Sequence, residues 1–245
     1  MSDTQERGLT AAHRMLEGKG ATFAVLTTVA ILIGGLVEIV PLFSERAGPG
    51  TLPGIHPYTA LEVAGRDLYI KEGCYTCHSQ MIRPMRAEVL RYGEWSRAGE
   101  YAYEHPFLLG SRRIGPDLQR VGGKYPDAWH FEHMRDPRST SPGSIMPAYP
   151  WLNRRSIDPV DIQASLRALR RVGVPYTDQE IAGAPADMQA QAQGIVASLK
   201  QAGIDTPADR EIVALIAYLQ RLGKDGRAAI AAGETAPGGA GAGTR

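Results

Sequence analysis

Along the chain the first long departure from mixed polarity runs from Ala21 to Phe43, ATFAVLTTVAILIGGLVEIVPLF, 23 residues with one charge, Glu38. A helix rises about 1.5 Å per residue and a bilayer's hydrocarbon core is roughly 30 Å thick, so this stretch predicts a transmembrane helix. The apolar part of a cleavable signal peptide is shorter, about 7 to 15 residues, and ends in a small-residue cleavage site. Arg7, Arg14 and Lys19 precede the span and only Arg46 follows it closely. The positive-inside rule then puts residues 1–20 in the cytoplasm and the bulk of the chain on the other side. Glu38 lies near the outer end of the span. It either reaches the interface or faces another membrane protein, and Gly34-Gly35 would let a neighbouring backbone come close.

After the span the pattern changes to short amphipathic segments separated by turn residues. Residues 44–58, SERAGPGTLPGIHPY, form a Gly/Pro-rich linker. Thr59-x-x-Glu62 is a capping-box pattern that opens ALEVAGRDLYIKEG, with Leu61, Gly65 and Leu68 on one face and Gly73 closing it. Asp158-Pro159-x-Asp161 opens VDIQASLRALRRVG, ended by Gly173, and Thr177-x-x-Glu180 opens a further short segment. Thr206-Pro207-x-Asp209 opens REIVALIAYLQRLG, ended by Gly223. The apolar face Ile212, Leu215, Ile216 and Leu219 is suited to cross the AGRDLY helix near Gly65, where no side chain blocks approach. Residues 224–245 have no hydrophobic period and much Gly and Ala, which predicts a disordered tail. The fold class is therefore mainly α: an anchor at 21–43, a linker, and one helical domain over 59–223.

Composition adds exclusions. The 27 Lys+Arg and 26 Asp+Glu nearly cancel, so no overall field argues for a nucleic-acid partner. Only two cysteines are present, too few for a disulfide scaffold, and they stand together in GCYTCHSQ as Cys74 and Cys77 with His78 next in line. A thioredoxin-like pair needs a βαβ setting, which is lacking. A zinc site needs a fourth ligand from elsewhere, with no second C-x-x-C to offer it. A plain disulfide remains open outside the cytoplasm. C-x-x-C-H is the attachment signature of c-type haem: two thiols add to the vinyl groups on one porphyrin edge and the adjacent imidazole binds iron. Cys74 and Cys77 are thus candidate thioether anchors and His78 the candidate proximal ligand.

Iron has a second axial position. A methionine there keeps the site six-coordinate and raises its potential. Met81 and Met85 follow His78 too closely to reach the opposite face, and Met134 and Met188 sit in or beside helical stretches. Met146, in the Pro/Gly-rich SPGSIMPAYPWL, is presented by a loop that Pro147 stiffens, and it is the candidate sixth ligand; packing under Trp151 is the competing role. In RIGPDL, Pro116 is placed to offer its carbonyl to the other ring nitrogen of His78 and so fix the tautomer.

AGRDLYIKEGCYTCHSQ, GPDL, a loop methionine and the terminal AYLQRLG resemble the class I cytochrome c fold. The longer stretches GCYTCHSQMIRP, YEHPFLLGSRRIGPDLQRVGGKYPDAWH and SIMPAYPWL resemble the monohaem c-type subunit of cbb3-type cytochrome c oxidases, from the anchor to about Gly223. The resemblance implies a class I cytochrome c-like domain with long insertions at 79–113 and between Gly173 and Thr206. It implies one covalently bound haem c held by Cys74, Cys77, His78 and Met146, with Pro116 orienting the histidine. It further implies an electron-transfer subunit in the bacterial inner membrane with its haem domain periplasmic. Its partners would be the catalytic haem b/copper subunit and a dihaem c-type subunit or soluble cytochrome, with no oxygen chemistry on this chain. The insertions would cover the haem and meet those partners, with Tyr92, Trp95, Tyr101 and Tyr103 serving contact or ordinary packing.

Two other functions compete. A free-standing tethered shuttle needs a one-sided charge field and a linker of useful reach, whereas here the charges are mixed and the linker is short. A haem-based gas sensor needs Met146 unbound or displaceable. A dinuclear-copper subunit is excluded, because it requires two cysteines of its own.

Overall fold

The structure, a computed structural model, describes residues 18–40, 50–157 and 159–233. It divides into two compact units, Met1–Gly48 and Pro49–Arg245. In the first, helix α1 spans Gly20–Ile39, and none of its residues is buried. Among the described residues it is the one helix long and apolar enough to cross a membrane. The expected continuation through 41–43 and the first part of the linker, 44–49, lie outside the described residues.

The second unit is built on α2 (Ala60–Lys71). Thr59 caps it as its sequence demands: the Glu62 amide donates to Thr59 Oγ1 at 3.4 Å and the Thr59 amide to Glu62 Oε2 at 2.8 Å. Short α3 (Arg86–Tyr92), α4 (Asp127–Arg135), α5 (Pro137–Thr140) and α6 (Pro159–Arg171) follow. Then come α7 (Asp178–Gln201), α8 (Glu211–Arg221) and α9 (Lys224–Ala231). Among the described residues there is no strand, only an isolated bridge between Ser156 and Arg210.

The core is the crossing of α2 and α8. Residues 211–219 of α8 are all buried, and Gly65 is the contact point: a Cβ there would stand 2.0 Å from the Ala214 carbonyl oxygen and 2.8 Å from Tyr218 Cβ. Helix axes this close require a residue without a side chain on one of them. Tyr218 lies between Tyr58 and Tyr69, with ring centroids 5.6 and 5.4 Å away. Met134 and Met188 are both buried in this core, in α4 and α7.

Three expectations are corrected. The segment after Thr177 is long, not short: α7 runs for 24 residues through Gly183, Pro185 and Gly194, because its Ala, Gln, Met and Leu content and the Ile181, Ala184, Met188 and Ala192 face outweigh those interruptions. The Thr206-Pro207-x-Asp209 pattern does not cap α8: the helix begins at Glu211, inside the expected REIVALIAYLQRLG and with Arg210 as its N-cap, while the Thr206 hydroxyl donates to Asn153 Oδ1 at 2.6 Å. The backbone of 209–211 is occupied by Ile157 and Arg155 in the bridge. The tail is not disordered from its first residue: α9 packs through Gly226 and Ala229, small residues that leave no hydrophobic signature. A Cβ on Gly226 would meet Glu100 at 2.3 Å, and the Arg227 guanidinium donates to the Arg120 carbonyl. The remaining tail, 234–245, and Asp158 of the expected cap lie outside the described residues.

The 79–113 insertion is ordered chiefly by charge. Arg66 meets Glu104 at 3.0 Å and Arg120 meets Glu100 at 2.6 Å, all four side chains being buried. Glu88 takes Arg113 and Arg83 together, and the hydrogen bond from Arg113 above all holds its carboxyl down at about 2. Of the four aromatics, Tyr101 is buried with its hydroxyl donating to the Gln80 carbonyl, and Tyr103 packs half-buried on the core. Trp95 lies under the Arg97 guanidinium at 3.8 Å and Tyr92 near those of Arg91 and Arg113. All four thus have packing partners within the chain.

His130 on α4 is 1% exposed, and burial pulls its imidazole down to about 4, with Asp127 opposing and His133 adding to the drop. The unfolded chain therefore takes up a proton near pH 6.5 that the fold refuses until about pH 4. Stability from this residue is complete above pH 6.5 and is lost as pH falls to about 4, by about 3 kcal/mol at most. The urea midpoint of His130→Leu should fall less steeply over that window than that of the native chain. Parallel slopes would count against a buried neutral His130.

Candidate functional site

Gly73, in the left-handed region at φ 73°, ends α2 and turns the chain into a tight 3-10 turn over Cys74–Thr76. The Cys77 and His78 amides both donate to the Cys74 carbonyl, at 3.1 and 3.0 Å. The turn sets both thiols and the imidazole within one short loop at the end of the best-packed helix. Both cysteines are free and half-buried, and burial pushes the Cys74 thiol up to about 12, with Glu72 adding to the rise. A raised thiol is the reverse of what a redox-exchange pair needs. Among the described residues no three His, Cys, Asp or Glu side chains converge as a zinc cage requires.

His78 is half-buried and its orientation is fixed from one side. Nδ1 lies 2.7 Å from the Pro116 carbonyl oxygen, and since a carbonyl only accepts, Nδ1 carries the hydrogen and Nε2 presents a lone pair. Burial lowers the proton affinity of the ring, against the pull of the Pro116 carbonyl, which favours this neutral form. Gly115 forms the floor under the imidazole: a Cβ there would be 2.2 Å from Cε1 and 2.7 Å from each ring nitrogen. The Gly115 amide donates to the Cys77 carbonyl at 3.0 Å, closing this loop on the motif.

The Met146 loop is held by its ends. The Tyr149 amide donates to the Met134 carbonyl at 2.7 Å, and Leu152, in the 3-10 turn Pro150–Asn153, is buried. Ile145 is 76% exposed while its neighbour Met146 is half-buried against the core, together with Cys74, Tyr149 and Trp151. The loop therefore turns the thioether inward. Trp151 Nε1 is buried with no hydrogen-bond partner among the described residues, a donor left over in an otherwise packed loop.

Residues 13–225 match the family described as cytochrome C oxidase, mono-heme subunit/FixO. The chain belongs to the FixO family. It is thus a mono-heme cytochrome c oxidase subunit, and its apolar α1 accords with a membrane-bound complex. No curated protein matches the chain.

The residues of this FixO-family chain fit one haem. There are two free thiols at attachment spacing, an imidazole whose Nε2 makes no hydrogen bond among the described residues, a glycine floor that a Cβ would fill, and a buried donor without a partner among those residues. His78 and Pro116 are brought into direct contact, and Cys74 and Met146 pack on the same core. Residues the sequence reading passed over are Gly115, Trp151 as a donor, and the group Ser79, Arg113 and Asp117 beside the histidine. Asp117 and Gly115 flank Pro116 in RIGPDL, so their signal lies in the same stretch that points to the proline.

Proposed function

We propose that this chain is the single-electron relay of a cbb3-type oxidase, working through one covalently attached c-type haem. Cys74 and Cys77 would form the thioethers, and His78 and Met146 would hold the iron, with Pro116 fixing the tautomer. The haem supplies a one-electron carrier whose potential the thioether ligand raises. The chain's own residues do the rest: the Cys74–Thr76 turn sets the attachment geometry, Pro116 and Gly115 hold the imidazole, and the 141–149 loop supplies sulfur. The observation that carries the reading is the 2.7 Å contact of His78 Nδ1 with the Pro116 carbonyl immediately after C-x-x-C. It leaves Nε2 as the only coordinating nitrogen of a residue already next to two thiols.

Electrons would come from a dihaem c-type subunit or a soluble cytochrome and pass to the haem b/copper subunit, where oxygen is reduced. Arg7, Arg14 and Lys19 before α1 support a cytoplasmic N-terminus, with the anchor in the inner membrane and the haem domain periplasmic. The test is the intact mass and haem c content of the full chain from a host competent in attachment, with a ferrous spectrum before and after carbon monoxide. One haem per chain and no adduct are expected. Met146→Leu should keep the haem, lower its potential and admit carbon monoxide. An unmodified chain, or a native protein that binds the gas at once, would sink the reading. Recovery as a lone haem-loaded monomer in mild detergent would favour the shuttle instead.

A further inference from the structure

The Pro116 carbonyl is itself held in place by buried polar groups. Asp117, next in sequence, has a fully buried carboxylate. Its Oδ2 accepts from Ser79 Oγ at 2.6 Å and from the Met81 amide at 2.9 Å, and its Oδ1 from the Gln119 amide at 2.8 Å. Ser79 follows His78 directly. One carboxylate thus ties the segment after the histidine to the segment that carries its hydrogen-bond acceptor. Two backbone bonds flank the same contact, Gly115 N–H to the Cys77 carbonyl at 3.0 Å and Leu118 N–H to the Ser79 carbonyl at 2.9 Å.

Arg113 closes the group from the insertion side. Its Nε donates to Ser79 Oγ at 2.8 Å and its Nη2 to the Met81 carbonyl at 2.6 Å, while Nη2 lies 3.5 Å from Asp117 Oδ2. Nη1 is paired with Glu88 on α3. The planar fork reaches Ser79, Met81 and Glu88 from three separate nitrogens, a span that the single nitrogen of an ammonium group does not cover. A buried charge with three donors and a cation is expensive to assemble and persists where it fixes geometry. The geometry here is that of His78.

We infer that Arg113, Ser79 and Asp117 are positioning residues for His78: they hold residues 79–81 against 115–118 and so set the strength of the Nδ1–H bond to the Pro116 carbonyl. A stronger bond makes the imidazole a better donor to iron and stabilises the ferric state; a looser one raises the potential. The inference rests on the haem reading above. It also assigns a role to the 79–113 insertion, since Glu88 on α3 holds the outer side of Arg113.

Two substitutions that leave the charge unchanged test it. Ser79→Ala removes the shared hydroxyl, and Arg113→Lys keeps the cation but loses the fork. In the full-length haem-loaded protein each should shift the ferric/ferrous equilibrium toward ferrous, by up to about tenfold, or about 59 mV. In each, the Nδ1–H proton resonance of His78 in the ferrous protein should move. A role through charge alone would leave both variants at the native potential. Native potentials with an unmoved resonance in a haem-bearing protein would overturn this inference and spare the haem reading. A native chain that carries no haem would overturn both. Should Ser79→Ala fail to accumulate, Arg113→Lys gives the same readout from the other side.

Discussion

On the proposed attachment and ligation, Gly115→Ala should yield a chain that keeps its haem on Cys74 and Cys77 but loses His78 from the iron. The added methyl would lie 2.2 Å from Cε1 and 2.7 Å from Nδ1 and Nε2, well inside any van der Waals contact. The imidazole cannot swing aside while Nδ1 is bonded to the Pro116 carbonyl, and the backbone cannot retreat while the Gly115 amide is bonded to the Cys77 carbonyl. Overpacking at such a site costs about 1–3 kcal/mol. The cheapest relief is rotation of the ring, which gives up its hydrogen bond and its approach to the metal together. The proposed attachment through Cys74 and Cys77 does not use that ring. Covalent haem per chain should therefore stay near native while the ferrous spectrum becomes that of a protein open to carbon monoxide. A native spectrum and potential in Gly115→Ala would mean that the imidazole is not where iron binds.

The second large effect lies at the core. Gly65→Ala places a Cβ 2.0 Å from the Ala214 carbonyl oxygen, a backbone atom of the helix that fills the centre of the domain. No side-chain rotamer relieves this contact; α2 and α8 must separate. The cost should sit at or above the top of the range of about 1–3 kcal/mol for overpacking, a large part of the stability of an ordinary domain, about 5–15 kcal/mol. For a domain of this size about 3 kcal/mol lowers the melting temperature by about 6–12 °C. Because α2 ends at Gly73 and leads straight into the Cys74 turn, haem loading should fall as well. A melting temperature within a degree or two of native would show that the two helices do not meet at this residue.

What could be read in advance divides along physical lines. The α1 span, the Thr59 and Thr177 caps and the crossing at Gly65 were legible because each depends on contacts a few residues apart or on one strong periodicity. The long α7 and the packed α9 were not. In α7, Gly183, Pro185 and Gly194 masked a helix that tertiary contact sustains, and α9 buries Gly226 and Ala229, whose burial carries no hydrophobic signal. The insertion was equally silent, because Arg66, Glu88, Glu100, Arg113 and Arg120 look like surface residues until their partners are known.

The same division runs through the site. The sequence by itself determined the chemistry on offer: two thiols and an imidazole in one five-residue motif, a methionine in a stiff loop, and an apolar span ahead of them all. Those are local facts, fixed by covalent spacing. Only the tertiary structure decided which nitrogen of His78 is free, that Gly115 lies beneath the ring, and that Arg113, Ser79 and Asp117 converge beside it. Orientation and polar satisfaction depend on groups 38 residues apart meeting within hydrogen-bond distance, and only the folded chain brings them that close.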